Sequence, residues 1–270
     1  MGIVEALLLG AVQGITEFLP VSSSGHLVLL QKILGVSGPA LLFDTLVHVG
    51  TLAAVFVALR RDIWALLRRP IQPLTGFLVL GTLPTVAAAL FFKDTVEEAF
   101  ESGSYLGYAF LFTSAALLVA EGLSRRPGRS RGGGAINWID ALIIGICQAV
   151  AIMPAVSRSG LTLSGALSRK LDRGFAARFS FLLSIPAILG ALVFQLKDLW
   201  SGAGGEAASI EGAGMTAIIA GTIAAAVVGF FAVTFMLRLV RERSLRGFAV
   251  YTAVLGALVL ADQFVFHLFF

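Results

Sequence analysis

The sequence predicts an all-α integral membrane protein: two inverted-topology repeats, each one re-entrant helical hairpin plus three transmembrane helices, six full spans in total. Composition, the lengths of the apolar runs and the placement of the basic residues carry that prediction. Of 270 residues, 57% are hydrophobic and 13% charged, with mean hydropathy +0.92, whereas soluble domains lie nearer about 45–50% and about 25%. The surplus apolar surface has to enter lipid, which excludes a soluble enzyme, a coiled coil, collagen and a disordered chain. The net charge of +4 suggests nucleic acid only if the cations share a solvated face. They fall instead in short clusters between apolar runs, so no nucleic-acid partner is expected. One cysteine, Cys147, excludes an intrachain disulfide and a cysteine-based zinc site. The start, MGIVEALLLG, lacks a basic leader and does not read as a cleaved signal peptide.

A membrane helix needs about 20 apolar residues. Six stretches qualify: 40–59, 74–92, 105–122, 175–196, 214–237 and 247–268. Two others are broken. Residues 3–34 contain Pro20 and Ser22-Ser23-Ser24-Gly25, and residues 137–170 contain Pro154 and Ser157-Arg158-Ser159-Gly160. The halves, each about 10–16 residues, are too short to cross, so each segment should enter and leave on one side.

The basic residues support this count. With two hairpins, the clusters at Arg60–Arg69, Arg125–Arg131, Arg169–Arg178 and Arg238–Arg246 share one side and hold sixteen of the twenty cations. By the positive-inside rule that side is cytoplasmic. The opposite loops carry Asp94, Glu97, Glu98 and Glu101, then Asp198, Glu206 and Glu211. A single crossing by either broken segment would scatter the clusters. Trp64, Trp138 and Trp200 fall near the expected interfaces.

The broken segments also resemble each other: GAVQGITEFLPVSSSG at 10–25 aligns with GICQAVAIMPAVSRSG at 145–160. Residues 1–123 then form repeat 1, residues 137–270 repeat 2, and the Arg- and Gly-rich stretch 124–136 a cytoplasmic linker too polar to pack. Three spans per repeat is odd, so the second repeat starts from the opposite face. In such folds the broken elements meet near the midplane. Glu17, Ser22, Ser23, Ser24 and His26 are thereby brought to Ser157, Arg158 and Ser159, and Arg158 is the one basic residue placed at membrane depth. Each Ser-rich run opens a helix, where free N–H groups attract anions, and the guanidinium adds a fork that matches phosphate oxygens. Glu17 and His26 suit acid–base work or a divalent cation; Gln13 shares the face of Glu17. The bland alternative for a Ser/Gly/Pro run, a kink or close helix contact, is outweighed by these charged groups. His48 reads as a polar packing residue, His267 as inert, Cys147 as small core. Asp44, Asp140, Asp262 and Glu121 lie near span ends, where solvation explains them.

GAVQGITEFLPVSSSGHL followed by PAVSRSG and DRGFAARFSFLLSIPAILGA resembles the signature of the undecaprenyl-diphosphate phosphatase, or bacitracin-resistance, family along the whole chain. The resemblance implies a bacterial plasma-membrane hydrolase that converts the C55 isoprenyl diphosphate carrier to its monophosphate for peptidoglycan synthesis. It implies catalytic roles for Glu17, Ser23, His26 and Arg158, phosphate binding by Ser22, Ser24, Gly25, Ser157, Ser159 and Gly160, and support from Gln13 and Gln148. The family's first glutamate is Gln13 here, leaving Glu17 the one carboxylate for Mg²⁺ or Ca²⁺. Ala155 replaces a family glycine, so its backbone must avoid positive φ or bear strain. We expect His26 to act as general base on Ser23 or a water, Glu17 to orient it, and Arg158 to neutralise the diphosphate. The pocket should open to the external, periplasmic face, with the tail in lipid. A homodimer is a candidate assembly. The rival class is an anionic-lipid transporter or flippase using the same cradle.

Overall fold

The computed structural model describes residues 1–36, 41–92, 95–96, 103–126, 131–132, 135–200 and 214–269, with the side chains of 41 and 194–200 outside the description. The acidic residues Asp94, Glu97, Glu98, Glu101, Glu206 and Glu211, with Lys93, linker residues 127–130 and 133–134, and the side chains of Lys197, Asp198 and Trp200, therefore lie outside the described residues. The first broken segment is α1 (Ile3–Thr16) and α2 (Ser23–Ile33). Next come α3 (Leu41–Ala58), α4 (Arg60–Arg68), α5 (Pro73–Phe91) and α6 (Leu106–Ser124). The second broken segment is α7 (Trp138–Val150) and α8 (Arg158–Ser168), followed by α9 (Arg173–Trp200), α10 (Met215–Glu242) and α11 (Arg246–Ala261). No strand occurs among the described residues.

Five stretches are long and apolar enough to cross a bilayer: Pro73–Phe91, Leu106–Ser124, Arg173–Val193, Met215–Glu242 and Arg246–Phe266. The sixth expected span is α3, which turns by 76° into α4. Continuing straight would have carried Arg60, Arg61 and Asp62 along the same axis; the bend lets α4 run sideways with no fully buried residue. Ile63 and Leu66 still pack on the core, and the Arg68 guanidinium lies 5.1 Å over the Trp64 ring. Such a helix fits an interface, where the sequence predicts only a cluster of basic residues. The apolar helices, with Val79, Leu83, Phe231, Phe235, Val254 and Leu258 turned outward, make this a multi-pass membrane protein.

The two hairpins pack against the long helices on one face and leave an apolar face of α1 and of α7 exposed. At about 1.5 Å per residue, the 14 residues of α1 reach only about 21 Å, short of an about 30 Å core. Helix α1 packs along α10, which also packs on α3, while α7 packs along α5. Both hairpin contacts need glycine. A Cβ at Gly10 would collide with the Gly221 backbone, and one at Gly145 with the Gly81 backbone. Helix α11 lies on α6, and α8 on both α6 and α7. Phe18, Leu117, Leu163, Phe181, Val233 and Met236 form the middle of the main core cluster.

The polar residues at the span ends are not explained by solvation. Asp140 is 0% exposed and takes Arg131 and Arg169 at 2.8 Å each, plus the Asn137 backbone in a capping box at the start of α7. Glu121 is 1% exposed and accepts from Arg125, Arg173 and the Leu245 N–H. Asp262 accepts the Leu268 and Phe269 N–H groups, and Asp44 accepts from the Gln31 side chain at 3.1 Å. Burying a carboxylate requires such partners. The same bonds correct the view of the linker as too polar to pack. Arg131 also donates to the Arg169 carbonyl at 2.7 Å, and its backbone bridges Leu171. As expected, basic residues from different clusters meet at one end: Arg125 with Arg173, Arg131 with Arg169, and Arg178 within 4.0 Å of Asp62.

The glycine contacts give a direct stability test. Gly10→Val and Gly145→Val should each lower stability in detergent by about 1–3 kcal/mol, read as an earlier thermal transition in tryptophan fluorescence. Gly190→Ala, where an added Cβ meets nothing within 4 Å, should leave the transition in place or raise it. Equal transitions for all three variants would contradict the packing.

Candidate active site

The turns between the half-helices face each other across a cavity of about 200 Å³. Its polar lining comes from Glu17, Ser22, Ser23 and Ser24 on one side and Ser157, Arg158 and Ser159 on the other, with His48, Thr85 and Gln148. An apolar wall is made by Ile152 and Val156 with Ala187, Ile188, Ala191 and Leu192 of α9. The two stretches that the sequence pairs thus line one cavity.

Glu17 is the hub. Buried at the end of α1, its carboxylate takes the Arg158 guanidinium on Oε1, and on Oε2 the Ser23 hydroxyl at 2.6 Å and the Gln13 amide at 3.0 Å. Arg158 also donates to the Ser184 carbonyl at 3.2 Å. Further bonds fasten the two tips. The Ala155 N–H donates to Ser24 Oγ at 3.1 Å, Ser159 Oγ to the Leu19 carbonyl at 2.9 Å, and the Ser157 N–H to Thr113 Oγ1 at 3.1 Å.

Ser22 and Ser157 are equivalent N-caps. Each hydroxyl accepts the N–H three residues on, from Gly25 at 3.2 Å and from Gly160 at 3.1 Å. This revises the expected phosphate ligands. The Gly25 and Gly160 N–H groups are already engaged, and the first-turn donors beyond reach of any helix carbonyl are those of Ser23, Ser24, Arg158 and Ser159. Glycine at 25 serves packing instead, since a Cβ there would strike the Phe110 ring and Ala155. Holding the turns has a conformational cost: Ser22 has φ +74° and Ala155 φ +60°. Both are left-handed for L-residues, so Ala155 bears the strain that its replacement of glycine implied.

The two histidines are placed differently from expectation. Both ring nitrogens of His26 are occupied, Nδ1 by the Ser22 carbonyl at 2.6 Å and Nε2 by the Tyr251 hydroxyl at 2.7 Å. The ring stacks on Tyr251 and meets Phe110 edge-on, and it does not line the cavity. His48, read as a packing residue, does line it: Nδ1 is bonded to the Asp44 carbonyl at 2.6 Å and Nε2 stands 3.8 Å from Glu17 Oε2. Its signal lay in the spacing of Asp44 and His48, one turn apart, which leaves Nε2 directed away from that carbonyl. Gln148 donates to Thr85 Oγ1 at 3.1 Å, and Gln13 and Gln148 each keep a buried side-chain carbonyl without a hydrogen bond among the described residues.

A resident divalent cation fits this donor set poorly. Among the described residues no three His, Cys, Asp or Glu side chains converge. Glu17 supplies the one carboxylate of the cavity, and a guanidinium already lies on it.

A family model described as Bacitracin resistance protein BacA matches residues 6–258. The chain is similar to the undecaprenyl-diphosphatase of Carboxydothermus hydrogenoformans, 47% identical over 96% of this chain and 97% of that one. It is 44% identical to undecaprenyl-diphosphatase 4 of Bacillus thuringiensis subsp. konkukian over 98% of each. With the undecaprenyl-diphosphatase of Methanosphaera stadtmanae it shares 35% identity over 96% and 98%. The chain belongs to the bacitracin resistance protein BacA family.

Proposed function

We propose that this protein hydrolyses undecaprenyl diphosphate to undecaprenyl phosphate and inorganic phosphate, returning the carrier lipid to cell-wall synthesis and conferring bacitracin resistance. The observation that carries this reading is the cavity itself. Two helix N-termini, Arg158, Ser23 and Glu17 meet beside an apolar wall, and an amphiphilic diphosphate needs both halves.

In the free enzyme Arg158 is held by Glu17. A diphosphate offers the guanidinium a more highly charged partner, with the first-turn N–H groups of α2 and α8 as further donors. Drawing Arg158 toward it frees Glu17 to accept a proton. Ser23 Oγ, 2.6 Å from Glu17 Oε2, then attacks the terminal phosphorus. The Oγ–P bond forms, the bond to the lipid monophosphate breaks, and the hydroxyl proton goes to Glu17. Water hydrolyses the phosphoseryl intermediate, releasing phosphate and restoring Ser23. His48 Nε2 is the relay through which the Glu17 proton leaves. His26 is a positioning residue, fixing the Ser22 carbonyl and thereby the first turn of α2. An Mg²⁺ or Ca²⁺ ion, for which the described cavity residues offer the single carboxylate of Glu17, would have to be held chiefly by the diphosphate.

We further infer the inverted repeat, with units 1–123 and 137–270 around the linker 124–136. The pairing of α1 with α10 and of α7 with α5, each through a glycine–glycine contact, supports it. The positive-inside rule supports a plasma-membrane orientation with the basic end cytoplasmic and the cavity open to the external face. The apolar wall on α9 supports a lateral exit for the C55 tail.

Purified protein in detergent should release phosphate from C15 or C55 isoprenyl diphosphate. Glu17→Gln, Ser23→Ala and Arg158→Ala should each reduce kcat by about 100-fold or more, and acid quench with labelled terminal phosphate should trap label on Ser23. Release equal to that of the Arg158→Ala control would reject the enzyme in favour of the transporter; a burst without labelled Ser23 would reject the covalent step. His48→Gln should reduce kcat about 10–100-fold with KM nearly unchanged. His26→Gln should raise KM as well as lower kcat. The reverse pattern would restore His26 as the base.

A further inference from the structure

A second cavity, of about 330 Å³, opens at the basic end of the bundle among the ends of α6, α8 and α10 and the start of α9. It belongs to none of the machinery described above. Five cations and two carboxylates line it, with the Ser124 and Ser244 side chains.

The two carboxylates differ. Glu121 forms the floor and is fully used: Arg125 and Arg173 reach Oε1 at 3.1 and 3.4 Å, and Arg173 and the Leu245 N–H reach Oε2 at 3.1 and 3.2 Å. Arg173 is equally committed, donating also to the Val240 and Arg243 carbonyls at 2.8 Å each. That pair holds the ends of α6, α9 and α10 together and is architecture. Glu242 is the other carboxylate. Arg241 and Arg243 have no side-chain hydrogen bond or acidic partner among the described residues, and Arg125 spends only Nε on Glu121.

Arg241 is also seated. Its stem and Nε lie where a Cβ on Gly174 would come within 3.1–3.2 Å, so glycine at 174 leaves room for it over the first turn of α9. The positive-inside rule needs cations in a loop; it does not need them around a concavity built from separate elements with one arginine accommodated by a glycine.

We propose that this cavity binds a phosphate group, with the headgroup of an anionic phospholipid as its source. Guanidinium forks match phosphate oxygens. The cavity lies at the ends of membrane helices, the level at which basic pockets between spans meet lipid headgroups.

The test is native mass spectrometry of the intact protein in detergent, titrated with phosphatidylglycerol, phosphatidylcholine or inorganic phosphate. Phosphatidylglycerol adducts should exceed phosphatidylcholine adducts in the wild type. The double substitution Arg241→Gln with Arg243→Gln should weaken that preference by roughly tenfold or more, without changing phosphate release from a C15 diphosphate. The control Arg60→Gln with Arg61→Gln removes two cations of the α4 end and should leave the preference intact. Equal loss in both double variants would reduce the effect to unspecific charge and overturn the site. Preference unchanged in the Arg241/Arg243 variant would overturn it as well. Displacement of the lipid by millimolar inorganic phosphate would keep the phosphate chemistry and overturn the headgroup as its source.

Discussion

The ion pair between Glu17 and Arg158 is the interaction on which the rest of the structure depends. Each group belongs to a different broken segment, 141 residues apart, and each side chain is largely withdrawn from the surface, so that leaving either charge unpaired is costly. Together they neutralise one another, and Ser23, Gln13 and the Ser184 carbonyl satisfy further polar valences. A hydrophobic pair of the same volume could hold the tips together as well or better. It could not be exchanged for a phosphate. Retaining charge here is therefore best understood as a requirement of the chemistry, with adhesion between the hairpins as a consequence.

Around that pair the backbone is held in conformations it would not choose alone. Ser22 and Ala155 sit at positive φ, each at a cost on the order of 1–3 kcal/mol. In return, the first turns of α2 and α8 line one cavity. The strain is sustained by the cross-links between the tips and by the glycine contacts of α1 and α7, which let short helices pack against long ones. Broken backbone is tolerated in a bilayer only under such cover.

The broad architecture was legible because lipid imposes simple rules on sequence. A run too short to cross, interrupted by proline and serines, has few solutions, and the basic clusters select among them. Residues 3–34 and 137–170 thus became hairpins at the expected places. The juxtaposition of Glu17 with Arg158 followed from their shared depth. What stayed hidden was set by side-chain direction. The turning of His26 onto Ser22 and Tyr251, and of His48 onto Glu17, depends on the rotation of α2 and α3, which periodicity does not specify in helices apolar on most sides. The buried networks of Asp140 and Glu121 were missed for a related reason. Arg169 for Asp140, and Arg173 and Leu245 for Glu121, come from elements further along the chain, and a carboxylate near a span end looks the same whether water or arginine solvates it. The 76° bend into α4 was obscured by a cluster that reads equally well as a loop.

A double-mutant cycle on the ligand-free protein tests the central pair most directly, with unfolding followed by denaturant titration in mixed micelles. Glu17→Gln and Arg158→Gln should each destabilise by about 3–5 kcal/mol, because each leaves the other charge buried and unpaired. The double variant should lose less than the sum, with a coupling of about 2 kcal/mol or more. Additivity within about 0.5 kcal/mol would mean that the two charges do not depend on one another, and would contradict the account.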